Sequence, residues 1–280
     1  MTTNIAILAP GIMGAAIAAR MVSKGVRVST ILSGRSEQTV ERAKAAGMLP
    51  VTEGDIAEVD ILLSIVPPAE AMALARQLAP VLSAAPRKPV YVDCNAINPE
   101  SAALVAAIIE PTGCPFVDGS LIGMPPREGY DGPTLFVSGL EANRVVSLTQ
   151  CGLNVRKLNG PVGAASALKM CYGGITKGLI AIGSAMMLAA VRAGADLALL
   201  DEMGRSQSGL LAGFSKSIPD MFTKSARWVP EMREVSAMLG PERPEGEMFE
   251  AIACLYERLA NDEREDRQEI AMLEGLFSNR

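Results

Sequence analysis

The chain has 280 residues, 49% of them apolar and 20% charged, with a formal net charge of -5 and no histidine. That composition supports a substantial core in one large domain or two and excludes a disordered chain. The mildly acidic balance leaves no basic footprint for nucleic acid, and the missing imidazole removes His-based triads, the usual zinc sites and histidine acid–base catalysis.

Proton transfer therefore falls to Lys, Tyr, Asp, Glu, Cys or water, and no metal site is expected. The start, Met1-Thr2-Thr3-Asn4, lacks the basic opening and cleavage site of a signal peptide. Residues 4–9 form a short apolar strand ending in a Pro-Gly turn. An Ala-rich helix is expected from about Met13 to Ser23, stopped by Gly25, and Val26 to Leu32 reads as a second strand. Ser36 is placed to cap a helix through Ala46, with Gly47 at its C-terminal end. Ile61 to Val66 is a buried strand closed by Pro67-Pro68, Ala69 to Leu82 is helical, and Val90-Tyr91-Val92 is a strand leading to Asp93. Phe116-Val117 and Leu135-Phe136-Val137 are further strand candidates.

Alternating strands and helices over residues 1–157 predict an α/β domain with a doubly wound parallel sheet, a Rossmann fold. Past Gly160-Pro161 only helices are expected, so the boundary falls around residues 158–163, giving domains 1–160 and 161–280, the second all-helical. Val162 to Gly194 reads as one interdomain helix of roughly 45–50 Å. The alternative is two helices broken at Gly173-Gly174, because each interior glycine costs about 1 kcal/mol relative to alanine. The apolar stretch Gly178 to Val191 is bounded by Lys177 and Arg192 and reads as a buried helix, too short to span a bilayer. Pro241 to Gly246 reads as an exposed helix–helix loop. The five cysteines are widely spaced with no Cys-x-x-Cys and are expected as reduced core residues in a cytoplasmic protein without membrane attachment.

The chemistry begins at Ala9-Pro10-Gly11-Ile12-Met13-Gly14, a Gly-x-Gly-x-x-Gly pattern with alanine first. Between the first strand and first helix, Gly11 would let backbone approach a pyrophosphate and Gly14 would permit close helix–strand packing. Ile12 and Met13 complete the loop. An ordinary strand-to-helix turn is the bland alternative, and alanine at position 9 is tolerable if its φ stays negative. About twenty residues on, an NAD enzyme would carry an acidic residue; here the sequence is Leu32-Ser33-Gly34-Arg35-Ser36. Arg35 offers a guanidinium for a 2′-phosphate, and Ser33 and Ser36 offer hydroxyls, so NADP(H) is the expected cofactor. Otherwise Arg35 is a solvated loop arginine and Ser36 a helix cap. Glu37 would count against the reading if it pointed inward.

With these motifs the chain resembles the β-hydroxyacid dehydrogenase family of 6-phosphogluconate, 3-hydroxyisobutyrate and tartronate semialdehyde enzymes, to which imine reductases are related. The resemblance rests on the Ile7–Gly14 fingerprint, Ser64-Ile65-Val66-Pro67-Pro68, Asp93-Cys94-Asn95-Ala96 with Pro99, Phe116-Val117-Asp118 and Gly163-Ala164-Ala165-Ser166-Ala167-Leu168-Lys169. The segment Arg227-Trp228-Val229-Pro230-Glu231-Met232 is similar to a poorly characterised helical domain carried by one branch of the family.

The resemblance implies that Val66, Pro67, Pro68 and Asn95 line the nicotinamide end of the cofactor. It also implies that Lys169 is the catalytic lysine, projecting into the interdomain cleft. An ammonium there can donate a proton to a carbonyl oxygen as hydride arrives. A lysine in so apolar a helix otherwise snorkels to solvent, and Lys177 is the second candidate. Three departures stand out. The family's asparagine four residues on is Gly173, and Tyr172, on the same face, offers a hydroxyl in its place or packs in the core. The substrate loop Asp-x-x-x-Ser-Gly-Gly becomes Asp118-Gly119-Ser120-Leu121-Ile122-Gly123-Met124, and Asn95-Ala96 replaces Ser-Thr. Ser120, Ile122, Gly123, Met124 and Gly173 are thus expected against a bulkier or less charged substrate. Arg127 either anchors a carboxylate or pairs with Glu128 at the surface. The expected activity is a hydroxyl–carbonyl oxidoreductase working as a homodimer. Imine reduction, or a catalytically silent NADP-binding sensor, stands as the alternative.

Overall fold

The computed structural model describes residues 3–278. Contacts divide the chain into two compact units, Met1–Lys169 and Met170–Arg280.

The first unit is built on an eight-stranded sheet of order β3-β2-β1-β4-β5-β6-β7-β8. Its strands are β1 (Asn4–Leu8), β2 (Arg27–Thr30), β3 (Leu49–Pro50), β4 (Ile61–Ser64), β5 (Val90–Asp93), β6 (Phe116–Ile122), β7 (Thr134–Ser138) and β8 (Asn154–Lys157). The central strands β4 and β5 are buried throughout, as a strand must be when helices cover both sheet faces. Helices α1 (Ile12–Ser23) and α2 (Glu37–Ala45) pack on one face, where Ile5, Ile7, Ile17, Met21 and Val92 form a core. Helices α3 (Ala71–Ala84) and α4 (Pro99–Ile109) cover the other through Leu62, Leu78, Tyr91, Val105 and Ile109.

The sheet departs from the all-parallel expectation at one seam. β6 and β7 pair antiparallel, with Asp118 opposite Ser138 and Ile122 opposite Thr134, and β8 then lies parallel to β7. Two strands lay below the reach of the sequence patterns: β3 is two exposed residues, and β8 is a mostly exposed edge strand of Asn-Val-Arg-Lys. The α4 helix is apolar all round, which hid it from periodicity, although Asn98 caps it by accepting from Ser101 N at 2.9 Å and Pro99 opens its first turn.

The long helix α5 (Ala164–Ala193) runs unbroken through Gly173 and Gly174. From Met170 onward it belongs to the second unit, with α6 (Asp196–Ser206), α7 (Ser208–Met221), α8 (Ser225–Leu239), α9 (Pro244–Arg264) and α10 (Gln268–Phe277). The described residues of this unit hold helices and no strand. Its glycines are where partners come closest: a Cβ at Gly174 would stand 3.3 Å from Phe249 and Val235 side chains, and one at Gly183 would stand 2.7 Å from the Phe214 ring. Lys177 is clamped on α5 by an ion pair with Glu231 and lies 5.5 Å from the Trp228 ring centroid, while Tyr256 donates its hydroxyl to the Lys177 carbonyl.

Three expectations need correction here. The loop between α8 and α9 is shorter than read: α9 already begins at Pro244, and Gly246 within it packs so closely on Gly240 that any Cβ would collide with the Gly240 carbonyl. Cys94, Cys114 and Cys151 are buried, but Cys171 and Cys254 are exposed on helices of the second unit. And the apolar stretch Gly178 to Val191 lies within the longer α5 and is not buried throughout, since Leu179, Ile182 and Met186 are exposed; the helix has an 18-residue window of mean hydropathy 1.6, a length-and-composition signal that core helices of soluble proteins share. The bounding charges at Lys177 and Arg192 had marked off only part of it.

Candidate functional site

Strand order places the fingerprint. From β1 the chain moves outward to β2 and β3, then returns to lay β4 on the other side of β1. The crevice between the C-terminal ends of β1 and β4 is thus a topological switch point, where doubly wound sheets bind ligands. The Ala9–Gly14 loop leaves β1 into α1 at that crevice.

Gly11 is the N-cap of α1 and carries no side-chain cap, and no acidic residue occupies the first turn. Its own N–H is spent on the Ala9 carbonyl at 2.7 Å, which closes a tight turn around Pro10. The nearest atom to a Cβ at Gly11 is 4.0 Å away, so the backbone is open to solvent; at Gly14 a Cβ would meet Ala9 O and Ile7 Cγ2 at 3.3 Å each. Ile12 is 69% exposed, Met13 is half-buried and Pro10 is buried. Ala9 fails the condition set for it: its φ is +57, in the left-handed region, at a cost of about 1–2 kcal/mol for a residue with a Cβ. Arg42 of α2 donates to the Pro10 carbonyl at 3.3 Å and steadies the turn, a contact that nothing in the motif signalled.

At the end of β2, Ser33 is exposed and the Arg35 guanidinium reaches to 4.0 Å from Glu70. Ser36 caps α2, its Oγ accepting from Thr39 N at 3.4 Å. Glu37 is exposed in the first turn of α2 and does not point inward.

Beneath the ends of β4 and β5 lies a buried polar network. Asn95, 1% exposed, accepts from Val66 N at 2.7 Å and donates to Ser64 Oγ at 3.0 Å and to Asp93 Oδ2 at 3.1 Å. Its own N–H reaches Asp93 Oδ1 at 2.9 Å. The Asn95 amide is thereby committed within the protein, where it fixes the backbone that presents Val66, Pro67 and Pro68. Burial pushes the Asp93 carboxyl up to about 7, reinforced by the neighbouring Asp118 and opposed by the Asn95 hydrogen bonds and the positive charge of Lys169. Burial also drives the Cys94 thiol well above its ordinary range, so it is no thiolate nucleophile. Lys169, half-buried on α5, acts electrostatically on both groups.

The former substrate loop is split. Asp118 is buried at 1% exposure and turned to the start of α5. Ser120 is fully buried, and its Oγ has no hydrogen-bond partner in the protein. Ile122 is half-buried, while Gly123 and Met124 are exposed. Gly123 has φ +131, and a Cβ there would lie 2.7 Å from the Tyr130 hydroxyl, so only glycine fits. Gly119, which no motif singled out, is equally obligatory, since a Cβ would stand 2.9 Å from the Asp93 carbonyl. Arg127 and Glu128 are both exposed and, among the described residues, make no ion pair with each other. Tyr172 is 54% exposed, so core packing is not its role; Gly173 is half-buried and would admit a Cβ with only Lys177 Nζ within 4 Å, at 3.9 Å. No group of three or more His, Cys, Asp or Glu able to hold a metal occurs among the described residues. A cavity of about 1000 Å³ lies at the opposite pole of the sheet, lined by Glu110, Phe116, Leu140, Lys157 and Val162, and includes none of the predicted site residues.

Comparison with known proteins agrees with this geometry. Residues 4–145 match the NAD binding domain of 6-phosphogluconate dehydrogenase, and residues 190–259 match a domain of unknown function. An uncharacterized 28.5 kDa protein in the 7S RNA 5′ region of Methanothermus fervidus is 30% identical over 180 residues. That alignment covers 64% of this chain and 66% of the relative, just under two thirds of its length. A conserved protein of unknown function, its structure described as similar to 3-hydroxyacid dehydrogenases, is 29% identical with a TM-score of 0.75, covering 93% of this chain and 98% of its own. The 3-hydroxyisobutyrate dehydrogenase of Mycobacterium tuberculosis, solved with L-serine, has the same fold at 21% identity, with a TM-score of 0.72 and 99% of each chain covered. The chain belongs to the 6-phosphogluconate dehydrogenase-like family of β-hydroxyacid dehydrogenases, in a branch whose NAD-binding domain is followed by a helical domain of unknown function.

Proposed function

We propose that the protein is an NADP-dependent oxidoreductase of the β-hydroxyacid dehydrogenase type, interconverting a hydroxyl and a carbonyl with Lys169 as general acid–base. The observation that carries this reading is the Ala9–Gly14 turn at the switch point, opening an uncapped helix N-terminus. The residues fit the coenzyme: the open backbone at Gly11 admits a pyrophosphate, and main-chain N–H groups at Ile12 and Met13 can receive it, with Ala9 and Pro10 shaping the turn. Arg35, with the Ser33 and Ser36 hydroxyls, would take a 2′-phosphate. Val66, Pro67 and Pro68 would wall the nicotinamide end, held in place by Asn95 through Val66 N. When bound, the coenzyme supplies or accepts the hydride.

The chain itself handles the proton. In reduction Lys169 Nζ donates to the nascent alkoxide, and in oxidation it accepts from the hydroxyl. Tyr172, three residues on along α5, offers its hydroxyl to the same oxygen in place of the side chain absent at Gly173. Ile122, Gly123 and Met124 form the substrate side, Ser120 being fully buried and out of reach of a ligand, and the apolar members of that side favour a bulkier or less charged substrate than a short hydroxy acid. The same features keep imine reduction as the second reading. The helical domain, residues 161–280, serves substrate binding and homodimerisation, and the protein works in the cytoplasm.

Parallel calorimetric titration with NADPH and NADH tests the cofactor, with NADPH expected to bind at least ten-fold tighter. Binding of neither removes the oxidoreductase assignment. For the acid–base role, Lys169→Ala should lower turnover by about 10²-fold or more while leaving NADPH affinity within two-fold. Wild-type protein that binds NADPH yet turns over no carbonyl or imine would instead be a sensor, and one active on imines alone would be an imine reductase.

A further inference from the structure

Family resemblance assigns Asp118 to a substrate loop, but its side chain faces away from that loop. Asp118 Oδ2 accepts from Gly163 N at 2.9 Å, Ala165 N at 2.9 Å, Ser166 N at 3.1 Å and Ser138 Oγ at 2.8 Å, and Oδ1 accepts from Ser166 Oγ at 2.6 Å. Five donors converge on one buried carboxylate. Two, Ala165 N and Ser166 N, are backbone N–H groups of the first turn of α5, which have no partner within their own helix, and Gly163 N belongs to the residue just before it. Ser138 closes the ring, since its Oγ also lies 3.0 Å from Ala165 N.

The neighbours leave this turn little freedom. Gly163 has φ +98, and any Cβ there would meet Pro99 at 3.1 Å. On the opposite side, Asp118 is locked to β5 in register with Asp93, and Gly119 admits no side chain against the Asp93 carbonyl. Ser166 stands three residues before Lys169, on the same helical face. A carboxylate anchored in the sheet therefore grips the turn that precedes and carries the turn of Lys169, within one compact unit.

We infer that Asp118 is the positioning residue for Lys169: it sets the rotation and depth of the first turn of α5, and through it the place of the lysine ammonium beside Asp93. The inference rests on the reading of Lys169 as the acid–base, but it is tested on the lysine itself rather than on turnover. The test acetylates full-length protein with trace acetic anhydride and reads Lys169 by mass spectrometry against the exposed Lys216. Amide exchange of the segment 163–166 is followed in parallel. Asp118→Asn places an amide N–H₂ against backbone donors and should speed exchange of that segment ten-fold or more. It should also change the Lys169-to-Lys216 labelling ratio at least three-fold and shift the pH at which labelling is half-maximal.

If Asp118→Asn fails to fold, Ser166→Ala and Ser138→Ala each remove one hydroxyl and should move the ratio in the same direction. Ser166→Thr, which keeps the hydroxyl, should restore it. Faster exchange with an unchanged labelling ratio would make Asp118 a helix cap and nothing more, and would overturn the inference. So would variants in which neither readout moves. Retained turnover in Lys169→Ala would remove the acid–base reading without touching the labelling ratio, so the two failures are told apart.

Discussion

Asp93 shows how one buried side chain can carry a pH signature. Its carboxyl is sealed at the end of β5 and accepts from the Asn95 backbone and side-chain amide, whereas its register neighbour Asp118 gathers five donors. The burial that lifts Asp93 to about 7 has a definite sign in stability. Between roughly pH 4, where the unfolded carboxyl ionises, and pH 7, the folded state holds a proton that the unfolded state has lost, so this group's contribution falls as pH rises and levels off above 7. The Tm of wild type minus that of Asp93→Asn should therefore shrink from pH 4 to pH 7 and then stay flat. A difference constant across that range would show that Asp93 is already ionised in the fold. At Ala9 the strain of a left-handed alanine sits beside the coenzyme loop, and sequence reading had tied its tolerance to a negative φ that the turn does not provide.

Helix α5 carries its glycines for opposite reasons. At Gly183 a new methyl would meet three Phe214 ring atoms between 2.7 and 3.0 Å, whereas at Gly173 it would meet only Lys177 Nζ at 3.9 Å. Alanine gains about 1 kcal/mol of helix propensity at either position, but overpacking costs about 1–3 kcal/mol where the ring must move. Gly173→Ala should thus raise the denaturation midpoint and Gly183→Ala should lower it; equal effects from the two would discount the Phe214 contact. The sequence showed that small residues mark close helix approach, and it showed α1, α2, α3, β4 and β5, because turn residues and apolar runs are local signals. It could not show that β6 and β7 run antiparallel, because an apolar run carries no strand direction. Nor could it show where Asp118 points. The family motif fixed the position of the aspartate, but its five donors come from β7, Gly163 and the start of α5, 20 to 48 residues away in the chain. The same holds for Arg42 on Pro10 and Glu70 beside Arg35, which are contacts between elements that no spacing rule joins.

For the molecule as a whole, the informative surface is the outer face of α5. Tyr172, Ile175, Leu179, Ile182 and Met186 follow one another at alternating intervals of three and four residues, and each is between 46% and 66% exposed. The opposite face is occupied by Phe214, Phe249 and Ile252 beneath Gly174, Gly178 and Gly183. The apolar exposure is thus a single stripe with the spacing of a helix–helix seam, which fits the proposed homodimer. Ile182→Lys should convert a dimer to monomers in sedimentation velocity without altering the far-ultraviolet circular dichroism; a monomeric wild type would refute the dimer. The two exposed thiols turn this face into an optical instrument. Cys171 adjoins the stripe, Cys254 lies on α9, and the other three cysteines are buried. A maleimide dye would thus address only two positions, and with Cys254 removed a single fluorophore at Cys171 would report by quenching or energy transfer whenever a second copy covers the seam.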